Sequence, residues 1–266
     1  MDSVKALDHA GEILWCAWQE GEVIDNLPTS CRPLSRTEGY EVQQFFERHS
    51  GHALRGWKIA ATSTAGQNHI RVSGPIAGRL LQERCHPSGT ELSLTNNRMA
   101  VAEPEFAFCM GQDLIPRNAA YGLPEILAAI ADLHPAIEVP DSRFVDFTAV
   151  GEAQLIADNA CAHEFVLGPV APEHWRSLDL SAHLVHARLE RANETILREG
   201  SGFSVLGNPL SALLWLVNEL SSLGVPLRRG QIVTTGACMT PLEVQAGDIV
   251  IADFGPIGKV DVNFSA

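Results

Sequence analysis

Residues 101–108 read VAEPEFAF, and within that stretch Glu103 and Glu105 stand in an otherwise uncharged run. In an extended strand, residues two apart share one face and lie roughly 6.6 Å apart along the chain. Both carboxylates then point one way, while Ala102, Pro104 and Phe106 point the other. Two ionised carboxylates so close repel, and burying both is costly unless something compensates. Exposure, a shared proton or a bound cation each answers that cost. The pattern alone is common and also fits a solvated strand face. Glu138, in HPAIEVPDSR, is a third acid isolated among apolar residues. Three hard oxygen ligands with open positions suit Mg²⁺ or Mn²⁺ rather than zinc. Pro104 fits an edge strand or a bulge, because proline cannot donate to a ladder.

Lys58, in GWKIAAT, is the obvious basic counterpart, and alternation places it on the more polar face of a strand. Arg143, in PDSR, either pairs with Asp141 or contacts a substrate carboxylate. His183 and His186 would share one face of a helix, but their segment alternates like a strand, where they point apart. Cys161 and His163 lack the orienting third group that an activated thiol needs. The six cysteines are scattered with no CxxC pair, which suits reduced thiols in a cytosolic protein.

The 266 residues are 45% hydrophobic and 19% charged, enough for a sizeable core without metal or disulfide staples. A formal net charge of −13 with no basic run excludes a phosphate-neutralising nucleic-acid surface. That charge also repels small anions at long range, so an acidic substrate needs local positive charge from a metal, Lys or Arg. The leading MDSVKALDHAGEILWCAWQEGEVI is amphipathic and interrupted by acids, unlike a signal peptide. The longest apolar run, LSALLWLV at 210–217, is far short of a membrane span. A soluble, cytoplasmic protein is the expectation.

The elements that must carry these residues are legible in outline. Apolar spacing predicts helices over 4–20 and 34–50, the second capped by Ser35 or Thr37 with Glu38 closing a capping box on Ser35. Strands are predicted at 56–62, 101–111 and 135–139, and 184–200 reads as a hairpin turning near Ala192–Glu194. Asn208 and Pro209 begin a buried helix that ends at Gly224. The last forty residues are strand-rich. Helices lead and strands dominate later, so the fold class is α+β: a helical N-terminal region, residues 1–55, on a strand-rich core, residues 56–266.

The blocks GWKIAATS, PIAGRLL, AVAEPEFAF, AIEVPDSRF, LIADNACAHEFVLG, LGNPLSALLWLVNEL and the segment 230–264 resemble, in order, the 2-oxopent-4-enoate hydratase and 4-oxalocrotonate decarboxylase family of the fumarylacetoacetate hydrolase superfamily. The resemblance spans nearly the whole chain. It implies a β-sandwich-like core, a Mg²⁺ or Mn²⁺ ion on Glu103, Glu105 and Glu138, and Lys58 as the active-site lysine. It also places Arg143, Cys161 and Thr235 with Lys58 beside a small anionic 2-oxo acid, in a homo-oligomer. Two positions depart from the family pattern: Ile76 replaces an acid in PIAG, and Cys161 replaces serine in DNAC.

The activity implied is metal-dependent hydration, with decarboxylation second, of short unsaturated 2-oxo or 2-hydroxydienoic acids from aromatic meta-cleavage. Two alternatives share the site: hydrolytic cleavage of acylpyruvates, which needs a base such as His49, His52 or His69, and a non-catalytic keto-acid-binding partner subunit.

Overall fold

Apolar residues at Ala6, Leu7, Ala10, Ile13, Leu14 and Ala17 recur at helical spacing and form α1 (Ser3–Glu20) in the computed structural model, which describes residues 3–266. Helix α2 (Arg36–His49) begins where the Ser35 hydroxyl accepts from the Glu38 N–H at 3.2 Å. The return half of the expected capping box is displaced by one residue: the Glu38 carboxylate accepts from Leu34 N–H at 2.6 Å, not from Ser35. The two helices share a core with Leu81, Phe144 and Ala157 from the rest of the chain.

Strand β1 (Gly56–Ala60) follows, then the short α3 (Thr64–Ile70), β2 (Ile76–Leu80), β3 (Cys85–Pro87), β4 (Thr90–Ser93) and the long β5 (Val101–Met110). Helix α4 (Leu123–Ala129) runs directly into β6 (Ile130–Val139), and α5 (Glu152–Ala157) precedes β7 (Glu164–Leu167). Strands β8 (Leu184–Arg191) and β9 (Glu194–Ser201) form the expected hairpin, turning at Ala192 with φ 46°. Asn208 caps α6 (Pro209–Ser222) by accepting from Leu210 N–H, and Gly224, φ 72°, lies just beyond its end. The chain finishes with β10 (Ile232–Ala237), β11 (Leu242–Glu243), β12 (Ile249–Asp253) and β13 (Lys259–Ser265).

One sheet has the order β2-β1-β10-β5-β6-β7-β3, with β11 also on β5; the other has the order β4-β13-β12-β8-β9. Strands β12 and β13 pack against β6 and α6 lies on β10, all in one core with Phe106, Phe108 and Val233, while α2, α5 and the turn Asn159–Cys161 cover β2. Coverage explains why β2 is buried at every position and β1 at four of five, whereas β8 alternates between buried Val185, Ala187 and Leu189 and exposed neighbours. The α+β sandwich-like architecture is the one expected. Among the described residues no helix is long and apolar enough to cross a membrane.

Two local expectations change. Lys58 is 3% exposed, so its polar strand face looks inward at other charges and not at solvent. Of the two settings expected for Pro104, the edge is excluded and the bulge is found: β5 is central, between β10 and β6. Its carbonyl accepts from Cys238 N–H, so its ring nitrogen faces the β10 side, where the ladder shifts register between Thr234 and Ala237. The missing donor therefore falls at an irregularity where no ladder bond is due.

Candidate active site

Antiparallel pairing of β5 with β6 sets Glu103 directly opposite Glu138, and Glu105 opposite Ala136. The three carboxylates converge, each offering an oxygen within 4.8 Å of the others. Glu105 and Glu138 are fully buried and Glu103 partly so. Lys58 enters from β1, two strands from β5; its Nζ lies 2.9 Å from Glu138 Oε2 as an ion pair, and its directed hydrogen bond goes to the Ala160 carbonyl at 3.1 Å.

Glu105 is aimed by β10. The Thr234 hydroxyl and the Gly236 N–H, the latter at 2.8 Å, both donate to its Oε2. The register shift makes this possible by turning Gly236 N–H out of the ladder. Gly236 has φ 100°, and a Cβ there would collide with the Thr62 hydroxyl, so glycine is required.

The Ala160 carbonyl is placed by an uncommon backbone. Asn159, Ala160 and Cys161 are successive left-handed residues with φ 56°, 50° and 60°, each costing of order 1–3 kcal/mol. The Asn159 side chain holds the run against β2, accepting from Arg79 N–H at 2.6 Å and donating to the Arg79 carbonyl at 2.9 Å. Gly78 permits this approach, since a Cβ there would strike the Asn159 carbonyl.

Three acids face one lysine, an excess of two negative charges when all are ionised. Burial, then Glu138 and Glu103, holds Glu105 well above the usual carboxylate range. Burial pushes Glu138 up to about 7 against the pull of Lys58, and burial also raises Glu103. Burial disfavours the Lys58 charge, but Glu138 and Glu103 outweigh it and leave the ammonium more basic than an ordinary lysine. Glu105 Oε1 and Glu138 Oε1 are buried without a partner, and Glu138 Oε2 has only the Lys58 ammonium. Orphaned carboxylate oxygens around a common point, with two charges unanswered, fit a divalent cation held by hard oxygen ligands.

A cavity of about 950 Å³ opens beside the triad, with Lys58, Glu103, Ile76 and Cys161 among its lining residues. Burial pushes the Cys161 thiol up to about 12, so it stays protonated and acts as a small wall residue. Two expected substrate contacts lie elsewhere. Arg143 does not pair with the Asp141 carboxylate or line the cavity; it is spent on the Asp158 carboxylate and on the carbonyls of Asp141, Asp158 and Ala162. Thr235 donates to the Phe106 carbonyl at 3.0 Å, and its neighbour Thr234 is the one that reaches the acids. Of the three histidines considered as bases, His69 alone lines the cavity, edge-on to Phe147.

The structure is similar to that of a 4-oxalocrotonate decarboxylase from Pseudomonas putida G7 complexed with magnesium and adipate, with a TM-score of 0.86 and 25% identity over 99% of this chain and 98% of the other. Fold and acid triad define the class: a lyase with a site that could hold a divalent metal ion. No family model matches the chain. It is 30% identical to a 2-keto-4-pentenoate hydratase of Paraburkholderia xenovorans LB400 over 97% of its length and 95% of the relative. It is 33% identical to one from Paraburkholderia phymatum, over 92% of each. The chain belongs to the 2-keto-4-pentenoate hydratase family.

Proposed function

We propose that the chain hydrates short unsaturated 2-oxo or 2-hydroxydienoic acids such as 2-hydroxypenta-2,4-dienoate, in the breakdown of aromatic compounds. The observation that carries this reading is the buried triad with its orphaned oxygens, paired with Lys58 at the floor of a cavity. Glu103, Glu105 and Glu138 would hold Mg²⁺ or Mn²⁺. Such an ion, when bound, supplies Lewis-acid stabilisation to negative charge on a 2-oxo acid.

The chain's own groups do the rest. An ammonium has three N–H donors, and Glu138 and Ala160 occupy two. The third Lys58 donor is available to a substrate oxygen, in a floor where water is scarce and the interaction correspondingly strong. Thr234 and Gly236 hold Glu105 in one orientation. Hydration stands ahead of decarboxylation because the relatives at 30% identity and above are hydratases, while the similar decarboxylase is at 25%. Acylpyruvate hydrolysis is less well supported, since His69 has no carboxylate partner among the described residues.

The same reading takes residues 1–55 as a helical region on a catalytic core of residues 56–266, and the protein as a cytoplasmic homo-oligomer. Sedimentation velocity checks the assembly, and a single species of monomer mass would refute that part. The function is tested by supplying 2-hydroxypenta-2,4-dienoate and 4-oxalocrotonate with Mg²⁺ or Mn²⁺. Loss of the dienoate absorbance with water incorporated into the product supports hydration. Turnover of neither acid, or turnover undiminished by EDTA, refutes the proposal.

A further inference from the structure

The acids and Lys58 account for one end of a 2-oxo acid; the opposite wall of the cavity has its own chemistry. In the antiparallel pair of β1 and β2, Lys58 faces Gly78 and Ala60 faces Ile76. Ile76 therefore shares the face of Gly78 and lies one diagonal step, roughly 7–8 Å, from Lys58. It is fully buried from solvent and lines the cavity. Ile70 from α3, Leu155 from α5 and Phe147 extend the same apolar wall.

Charge on the lining is mixed and stands apart from the apolar wall. Besides Lys58, Arg98 is the one Lys or Arg among the described lining residues, and its guanidinium donates to the Asn96 and Gly21 carbonyls. Glu199 adds a further acid at the exposed edge, beside His186. His69 stands exposed at the rim against Phe147. A second carboxylate at the end of a tail packed on Ile76, Ile70, Leu155 and Phe147 would meet aliphatic and aromatic side chains, which is unfavourable. At about 950 Å³ the cavity also sits near the upper end of the range, about 300–1,000 Å³, that encloses drug-sized ligands. A five-carbon acid fills little of it.

We infer that the cavity selects a monoanionic 2-oxo acid with an apolar tail longer than that of a five-carbon acid, packed on Ile76, Ile70, Leu155 and Phe147, and rejects dicarboxylates. The inference rests on the metal-site reading above, and the experiment separates the two. Calorimetric titration of the full-length protein with Mg²⁺ takes oxalate first, then 2-oxobutanoate, 2-oxopentanoate, 2-oxohexanoate, 4-phenyl-2-oxobutanoate and 2-oxoadipate. Affinity should rise about fourfold per methylene, the value for burying one CH₂. The phenyl compound should exceed 2-oxopentanoate, and 2-oxoadipate should bind at least about tenfold more weakly than 2-oxohexanoate. Ile76→Ala, and the milder Ile76→Val, should weaken 2-oxohexanoate and leave oxalate unchanged. Mg²⁺-dependent oxalate binding with a flat tail series, or with 2-oxoadipate matching 2-oxohexanoate, overturns the tail inference alone. Absence of Mg²⁺-dependent oxalate binding overturns it together with the metal reading.

Discussion

Glu105→Gln should make the metal-free protein more stable and the metal-loaded protein less so. If Glu105 is ionised, two carboxylate oxygens 4.8 Å apart, the outer limit within this cluster, repel by about 3.5 kcal/mol at an effective dielectric of about 20. The metal-free protein meets that cost in part by keeping a proton on Glu105. Glu105 faces two such neighbours, and Lys58 returns only part of that cost. Glutamine is nearly isosteric. Its oxygen can keep the bonds from Thr234 and Gly236, and its NH₂ replaces the orphaned Oε1 with a donor aimed at carboxylates. The expected gain without metal is about 2 kcal/mol, or about 4–8 °C in Tm for a chain of this size. Mg²⁺ at a hundred times its Kd stabilises the wild type by about 2.7 kcal/mol, and the variant should lose most of that increment. Differential scanning calorimetry in EDTA and across a MgCl₂ titration reads both arms. A variant less stable than wild type in EDTA, or one with an undiminished Mg²⁺ shift, refutes the reasoning.

Lys58→Met should lower kcat/KM by at least about a hundredfold while Mg²⁺ still binds, because the ammonium is not a ligand; an unchanged rate would remove Lys58 from the chemistry. Arg143→Met strands the buried Asp158 and should cost about 3–5 kcal/mol in urea unfolding with no specific change in KM. A stable variant with raised KM would instead return Arg143 to the substrate. Gly236→Ala should destabilise by about 1–3 kcal/mol through its φ of 100° and the clash with Thr62, and should weaken Mg²⁺ binding by releasing Glu105; calorimetry reads both. Burial depresses His163 to about 4, so between about pH 6.5 and 4 the unfolded chain binds the extra proton and stability falls as pH falls. His163→Gln keeps an acceptor for Trp18 Nε1–H, and the stability of wild type relative to this variant should drop by about 2 kcal/mol from pH 7 to pH 5 in paired urea melts; a pH-independent difference would contradict the assignment.

The acids and Lys58 were legible because charges isolated among apolar residues are costly to bury without a purpose, and strand periodicity alone put Glu103 and Glu105 on one face. What escaped depends on contacts that spacing does not encode. The register shift in β10 puts Thr234 at Glu105 and turns Thr235 to the Phe106 carbonyl; adjacent residues on a strand have opposite faces, so an error of one position inverts the assignment. Spacing offers Arg143 either the nearby Asp141 or a substrate carboxylate, whereas its carboxylate partner is Asp158, brought back by the end of α5. Helices α3, α4 and α5 have only six or seven residues, too few for periodicity to show. Strand β6 begins five residues earlier than expected, since Ile130–His134 does not alternate and Pro135 reads as a break.

The left-handed run Asn159–Cys161 bears on how rigid the site is before any ligand arrives. Glycine would adopt these angles freely, yet none of the three positions carries it. Side chains with a Cβ have few other wells nearby, so a run clamped to Arg79 at one end cannot drift by small steps. The Ala160 carbonyl is therefore a stationary dipole, and Lys58 is anchored to a point that does not reorganise as charge develops. Sequence changes that relax the run, Ala160→Gly above all, would exchange preorganisation for stability, which places this short loop on the boundary where the two compete.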